Sequence, residues 1–265
     1  MTTFEAASAV HRTGDTTFSV EIPDGWQQGR GAFGGLVLAT LLRAIEASEP
    51  DRARVVRTLL GDIAGPVQPG PAELSVTVLR RGANQSNLRV DLRQAGEILA
   101  FASSVLSTAR KPGLPSFRPR IDAPPAPETA LYVPADAPGR PIFLRHFAQH
   151  VTGPLPWSGA KVPETAGWIG LGEPPSVVDA PLLVAYLDAY WPAFYSVADG
   201  PRPMATISFT AEILCDPSKL DPKAPLFFRA RTIAEHEGFQ LEERMLYDAN
   251  GELLAANQQT FCVIK

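Results

Sequence analysis

Residues 96–107 read GEILAFASSVLS and residues 251–264 read GELLAANQQTFCVI. The pentapeptide Gly96-Glu97-Ile98-Leu99-Ala100 returns as Gly251-Glu252-Leu253-Leu254-Ala255. An internal echo has to be followed along the whole chain before any other pattern is read. Upstream of the first copy lie VVRTLLGDIAGPV, AELSVTVLRRG and SNLRVDLRQAG, and before them the apolar segment GGLVLATLLRAIEAS (34–48). Upstream of the second lie MATISFTAEILCDP, APLFFRARTIAEH and GFQLEERMLYDANG, and before them DAPLLVAYLDAYWPAFYS (179–196). TTFSVEIPDGW (16–26) and AGWIGLG (166–172) precede the two apolar segments as strand material. One unit is written twice.

Periodicity gives the element types. Leu74, Val76 and Val78, then Leu88, Val90 and Leu92, then Ile207, Phe209, Ala211 and Ile213 alternate with polar neighbours, the period of a half-buried strand. Short turns built on Ala-Gly and Asn-Gly imply antiparallel neighbours. Segment 34–48 carries Leu36, Val37, Leu38, Leu41 and Leu42 almost all round its first two turns, so a helix here is buried on most sides. Each half is expected to be one helix wrapped by an antiparallel sheet, an α+β architecture. Between them, residues 109–141 hold nine of the 26 prolines and show no period, the composition of an extended, semi-rigid linker. The expected organisation is an N-terminal unit over 1–110, a linker over 111–141 and a C-terminal unit over 142–265.

Composition narrows the function. The 265 residues are 45% hydrophobic and 20% charged, which is ordinary for a globular protein. Net charge is −4 and no basic run exceeds Arg80-Arg81 or Arg110-Lys111, so the electrostatic footprint of nucleic-acid binding is missing. The first residues lack a basic and apolar leader pattern and no long apolar run follows, so a soluble cytoplasmic protein is expected. Cys215 and Cys262 are far apart and without C-x-x-C spacing, which points to buried, reduced thiols. His146 and His150 share a face but lack Glu or Cys companions at metal-site spacing, and no metal is expected. No G-x-S-x-G occurs, which removes the serine hydrolase elbow.

The stretch GRGAFGGLVLATLL (29–42) matches G-x-G-x-x-G at Gly29, Gly31 and Gly34. A dinucleotide site needs a buried strand before the glycines and alternating βα units after them, whereas PDGWQQ precedes and successive strands follow. Gly34 and Gly35 instead open a buried helix, whose first N–H groups lack intrahelical partners. They suit a developing oxyanion, worth about 3–4 kcal/mol per well-placed donor; the alternative is that they only permit close packing. Asp188 projects from the apolar face of LLVAYLDAYW beside Val184, Ala185 and Trp191, with Pro192 marking a helix end or kink. Burial raises the pKa of such a carboxyl unless it finds a partner, so Asp188 is a general base or a structural cap. Gln259 shares a strand face with Leu253, Ala255, Phe261 and Val263, where its amide needs partners, and Thr206 begins the strand TISFTAEI.

The order of GRGAFGGLVLATLL, LLVAYLDAYWPAFY, MATISFTAEI and ELLAANQQTF, together with the duplication, resembles the TesB-like acyl-CoA thioesterase family over nearly the whole chain outside the linker. The resemblance implies a double hotdog fold, with two tandem helix-wrapped antiparallel sheets forming an internal pseudo-dimer. It implies hydrolysis of acyl-CoA thioesters in fatty acid metabolism, with no cofactor. The family's Asp on the second helix, Thr or Ser on the next strand and Gln on the last strand map to Asp188, Thr206 and Gln259, with Gln258 the alternative for a shift of one residue. Gly34 and Gly35 take the oxyanion role, although the family's usual FGGQ is Phe33-Gly34-Gly35-Leu36 here. Arg57, Arg80, Arg81 and Asn84, at strand ends, are candidates for the coenzyme A phosphates. Superposing the halves sets Ser104 opposite Gln259 and Leu42 opposite Asp188, so one complete site is expected, its acid facing the glycines of the first half. Two rivals share the fold: a non-catalytic acyl-CoA or acyl-lipid binding protein and an enoyl-CoA hydratase. Homo-oligomerisation is left open.

Overall fold

The computed structural model describes residues 2–264 except 111, 112, 114, 116 and 138, all of which fall in the expected linker. The N-terminal half runs α1 (Phe4–Ala7), β1 (His11–Arg12), β2 (Thr17–Ile22), the small hairpin β3 (Gln27–Gln28) and β4 (Gly31–Ala32), α2 (Gly34–Ser48), β5 (Val55–Ile63), β6 (Gly70–Arg81), β7 (Gln85–Gln94) and β8 (Glu97–Ser107). The C-terminal half runs β9 (Leu131–Val133), β10 (Phe147–Val151), β11 (Glu164–Leu171), α3 (Ala180–Asp188), β12 (Met204–Ile213), β13 (Leu226–His236), β14 (Phe239–Tyr247) and β15 (Leu253–Val263). Thirteen strands form one sheet in the order β1-β2-β6-β7-β8-β5-β12-β15-β14-β13-β11-β10-β9. The order β2-β6-β7-β8-β5 is mirrored as β11-β13-β14-β15-β12, and antiparallel β5–β12 pairing joins the halves. This is the double hotdog expected from the repeat.

Both helices lie in the core. α2 buries Gly35 through Leu42 without a break, and every residue of α3 is buried. Asp179 caps α3, accepting a hydrogen bond from the Leu182 N–H at 2.9 Å, and Pro181 in the first turn costs no intrahelical bond. The helix ends at Asp188, so Pro192 lies beyond the end and kinks nothing. Asp179 also pairs with Arg43 of α2 at 2.9 Å. The helices meet most closely at Gly35, where a Cβ would sit 3.0 Å from the Ala185 Cα and 2.5 Å from the Phe33 ring.

Some sequence expectations change in the fold. Ile207 is only half-buried, because the register of β12 against β15 shifts between Thr206 and Ser208. A bulge adds one unpaired residue and resets the alternation. Val78 is likewise exposed next to a shift between Val78 and Arg80. Cys215 and Cys262 are free but half-buried. The proline-rich stretch is more than a tether: it contributes β9 to the sheet edge, Ile121 N–H donates to Gly251 O at 3.0 Å, and Trp168 Nε1 donates to Pro125 O at 2.8 Å.

Because the Phe33 ring and the α3 backbone both crowd Gly35, Gly35→Ala is expected to destabilise the fold by about 1–3 kcal/mol, as overpacking does. The check is a lower urea midpoint with an unchanged m value.

Candidate active site

Asp188 is the last residue of α3, and its carboxylate points across the joint between the halves. A Cβ on Gly34 would fall 2.8 Å from Asp188 Oδ2 and 3.1 Å from Ile63 Cδ1, so the acid of the second half rests on the bare backbone at the start of α2. Gln259 Nε2 donates to Asp188 Oδ1 at 3.2 Å and to Thr206 Oγ1 at 3.3 Å. The structure therefore gathers Asp188, Thr206, Gln259, Gly34 and Gly35 around one point. Gln259 is buried and touches Asp188, whereas Gln258 is exposed.

Backbone geometry aims each group. Gln259 pairs with Phe209 and Phe261 with Thr206, and the bulge between them turns Thr206 onto the same inward face as Phe209. Without that extra residue strict alternation would point Thr206 away from the helices.

Burial pushes the Asp188 carboxyl above the ordinary carboxylate range; the Arg244 guanidinium, the Gln259 amide and the Gly35 backbone amide pull it back, and Glu242 adds to the rise. The Gln259 Oε1 is buried without a hydrogen-bond partner.

Beneath this site lies a pair that the sequence reading missed. Glu242 and Arg244 on β14 are completely buried, with Arg244 Nε donating to Glu242 Oε1 at 2.8 Å. In FQLEERML the apolar Phe239, Leu241 and Met245 alternate on one face, yet the structure buries the other face, carrying Gln240, Glu242, Arg244 and Leu246. The available signal was an apolar alternation that pointed to the wrong side of the strand.

The arginines expected for phosphates lie elsewhere. Arg57 sits six residues before Ile63 on β5, about 20 Å away at ~3.3 Å per residue. Its Nη2 donates to Ser107 O at 3.3 Å, and it lines a cleft of about 480 Å³ with Gln85, Ser107 and Arg110. Arg81 pairs with Glu49 at 3.4 Å, and Arg80 is exposed near the end of β6. The Asn84 carbonyl accepts from Ser107 Oγ at 3.0 Å. His146 Nε2 lies 3.0 Å from Gly25 O with its ring stacked on Trp26, and the His150 ring packs near Tyr132. Among the described residues no helix is long and apolar enough to cross a membrane.

Comparison with known proteins gives the family. Residues 22–108 match the model of the acyl-CoA thioesterase N-terminal domain and residues 121–263 that of the acyl-CoA thioesterase C-terminal domain. A search of curated proteins returns no match. Among solved structures, a hot dog fold protein of unknown function from Alicyclobacillus acidocaldarius is similar at 22% identity and a TM-score of 0.88, over 99% of this chain and 98% of that one. The TesB protein of Mycobacterium avium subspecies paratuberculosis is similar at 19% identity and a TM-score of 0.78, over 99% and 98% of the two chains. Acyl-CoA thioesterase II of Mycobacterium marinum is similar at 18% identity and a TM-score of 0.77, over 98% of each chain. With both domain models matched in order along it, the chain belongs to the acyl-CoA thioesterase family, whose chemistry is thioester hydrolysis.

Proposed function

We propose that this chain hydrolyses acyl-CoA thioesters of fatty acid metabolism with water activated by Asp188 and oriented by Gln259 and Thr206. The observation that carries the reading is the Gln259 amide, whose Nε2 bridges Asp188 and Thr206 while its buried Oε1 has no partner. An acceptor left open beside a base and a hydroxyl is a seat for one water, since buried polar atoms otherwise find partners.

In the proposed reaction Asp188 takes a proton from the water as its oxygen bonds to the thioester carbonyl carbon. The carbonyl becomes an oxyanion, met by the Gly34 N–H at the positive end of α2. Collapse re-forms the carbonyl and breaks the C–S bond; the thiolate leaves and takes up the proton held by Asp188, giving a free acid and coenzyme A. A non-catalytic binding protein would have no use for a buried base poised above its ordinary range.

The test is free-thiol release from short, medium, long and aromatic acyl-CoAs. Asp188→Asn is expected to lose about 10²–10⁴-fold in kcat with folding intact, the usual worth of a general base. Equal release by the variant would exclude Asp188 as the base, and no release from any substrate would exclude hydrolysis. Gln259→Ala is expected to lose on the order of 10²-fold, because the water loses its orientation.

The pH dependence follows from the direction of the Asp188 shift. The base works ionised, and its carboxyl is raised above the ordinary range by burial. Activity is therefore lost as pH falls through that raised value. A profile of kcat/KM against pH should show an acid limb above the ordinary carboxylate range, absent from the residual activity of Asp188→Asn.

A further inference from the structure

We infer that Arg244 is a positioning residue for the reaction at Asp188, tying down the end of α3 by holding the carbonyls that flank the carboxylate; this rests on Asp188 being the base. The last carbonyls of a helix have no intrahelical donors and carry partial negative charge, an unfavourable place for an acid. Here buried side chains supply the donors. Arg244 Nη1 donates to Leu187 O at 2.9 Å and to Tyr190 O at 3.3 Å, and Gln149 Nε2 donates to Ala189 O at 3.3 Å. Those carbonyls flank Asp188 on both sides.

The guanidinium itself is held firmly. It lies over the Phe228 ring at 5.6 Å and the Phe261 ring at 5.0 Å, and its Nε is taken by Glu242. Glu242 is committed in turn, accepting from Ala193 N–H at 2.7 Å and Thr232 Oγ1 at 3.2 Å. The other groups around the site are neutral or engaged. Tyr186 accepts from Leu171 N–H, Tyr190 donates to Trp168 O, and Arg140 reaches this helix end only through Gln149. α2 offers glycine amides, β12 offers Thr206, and β15 offers Gln259 and Asn257. Arg244 is paired with Glu242 and also pulls the Asp188 carboxyl down.

The duplication shows that the architecture does not need this pair. On β14 Glu242 faces Gln259 and Arg244 faces Asn257; on β7 Leu88 faces Ser104 and Val90 faces Ala102. Leu88 and Val90 are fully buried at the corresponding places. A buried ion pair is often replaceable by apolar residues, and the corresponding strand positions of the first half are apolar, so the pair at this end of α3 points to the reaction.

The experiment installs the first half's residues in the second, Glu242→Leu with Arg244→Val, beside Arg244→Lys and Asp188→Asn in the full chain. Melting and thiol release are followed across pH. The double variant is expected to melt lower, because the Leu187 and Tyr190 carbonyls and the Ala193 N–H lose their partners, and at temperatures where it is folded to lose at least about tenfold in kcat with KM nearly unchanged and to show its acid limb at higher pH. Arg244→Lys, keeping the charge but not the fork, should hold the acid limb near wild type and lose part of kcat. A double variant with wild-type kcat and an unmoved limb overturns the inference, as does a limb shifted equally far by Arg244→Lys. If the double variant does not fold, Glu242→Gln with Arg244→Met replaces it under the same expectations. Wild-type turnover by Asp188→Asn overturns the base assignment itself, whereas an inactive Asp188→Asn beside an unaffected double variant overturns only the role of Arg244.

Discussion

The close approach of the two central helices at the glycine pair of α2 is the constraint on which the rest depends. Side chains at 34 and 35 would strike Asp188, Ile63, Phe33 and the α3 backbone. Their absence lets the end of α3 settle on the start of α2, the positive end of one helix dipole facing an acid at the negative end of the other. The β5–β12 pairing fixes the same joint from the sheet side. One seam thus joins the two helices and the two halves of the sheet, and the acid of one half rests on the backbone of the other.

The seam concentrates polar groups where burial is most costly. Asp188, Gln259, Glu242 and Arg244 are all buried. An unpaired charge in such a place is strongly disfavoured; Asp188 is bonded to Gln259, and Glu242 separately to Arg244. At the corresponding positions the first half places Leu42, Ser104, Leu88 and Val90, all buried and three of them apolar. The two halves share one architecture, and the second carries the buried polar groups proposed for the reaction.

Most of the fold was legible in the sequence, because duplication and strand alternation are properties of the chain itself. The GE-x-LA echo located matching strands, and the apolar segment at 34–48 became α2 with those bounds. Asp188 and Gln259 stood out because a carboxylate and an amide interrupted apolar faces. Glu242 and Arg244 did not, because LEERML reads as an ordinary solvated strand and only the third dimension shows which face turns inward. Ile207 was assigned to the inward face for a related reason: periodicity assumes an unbroken pleat, and a bulge leaves no mark in composition. The proline-rich stretch shows no period either, yet Leu131–Val133 becomes an edge strand once β10 offers an open ladder.

The bulge also accounts for how one half of a duplicated structure came to hold a site. β5 carries the same irregularity, with its register against β8 shifting between Val56 and Thr58, and Val56 is buried opposite Leu106 as Thr206 stands opposite Phe261. Both halves therefore aim an extra inward side chain at the helix end. In β5 that side chain is a valine and its neighbour Ser104 bonds to Thr58 O at 2.7 Å, closing the joint with local partners. In β12 it is a threonine, and the counterpart of Ser104 is Gln259, long enough to reach across to Asp188. The geometry that orients the polar set belongs to the fold in both copies; the side chains placed on it decide which copy gathers an acid, an amide and a hydroxyl.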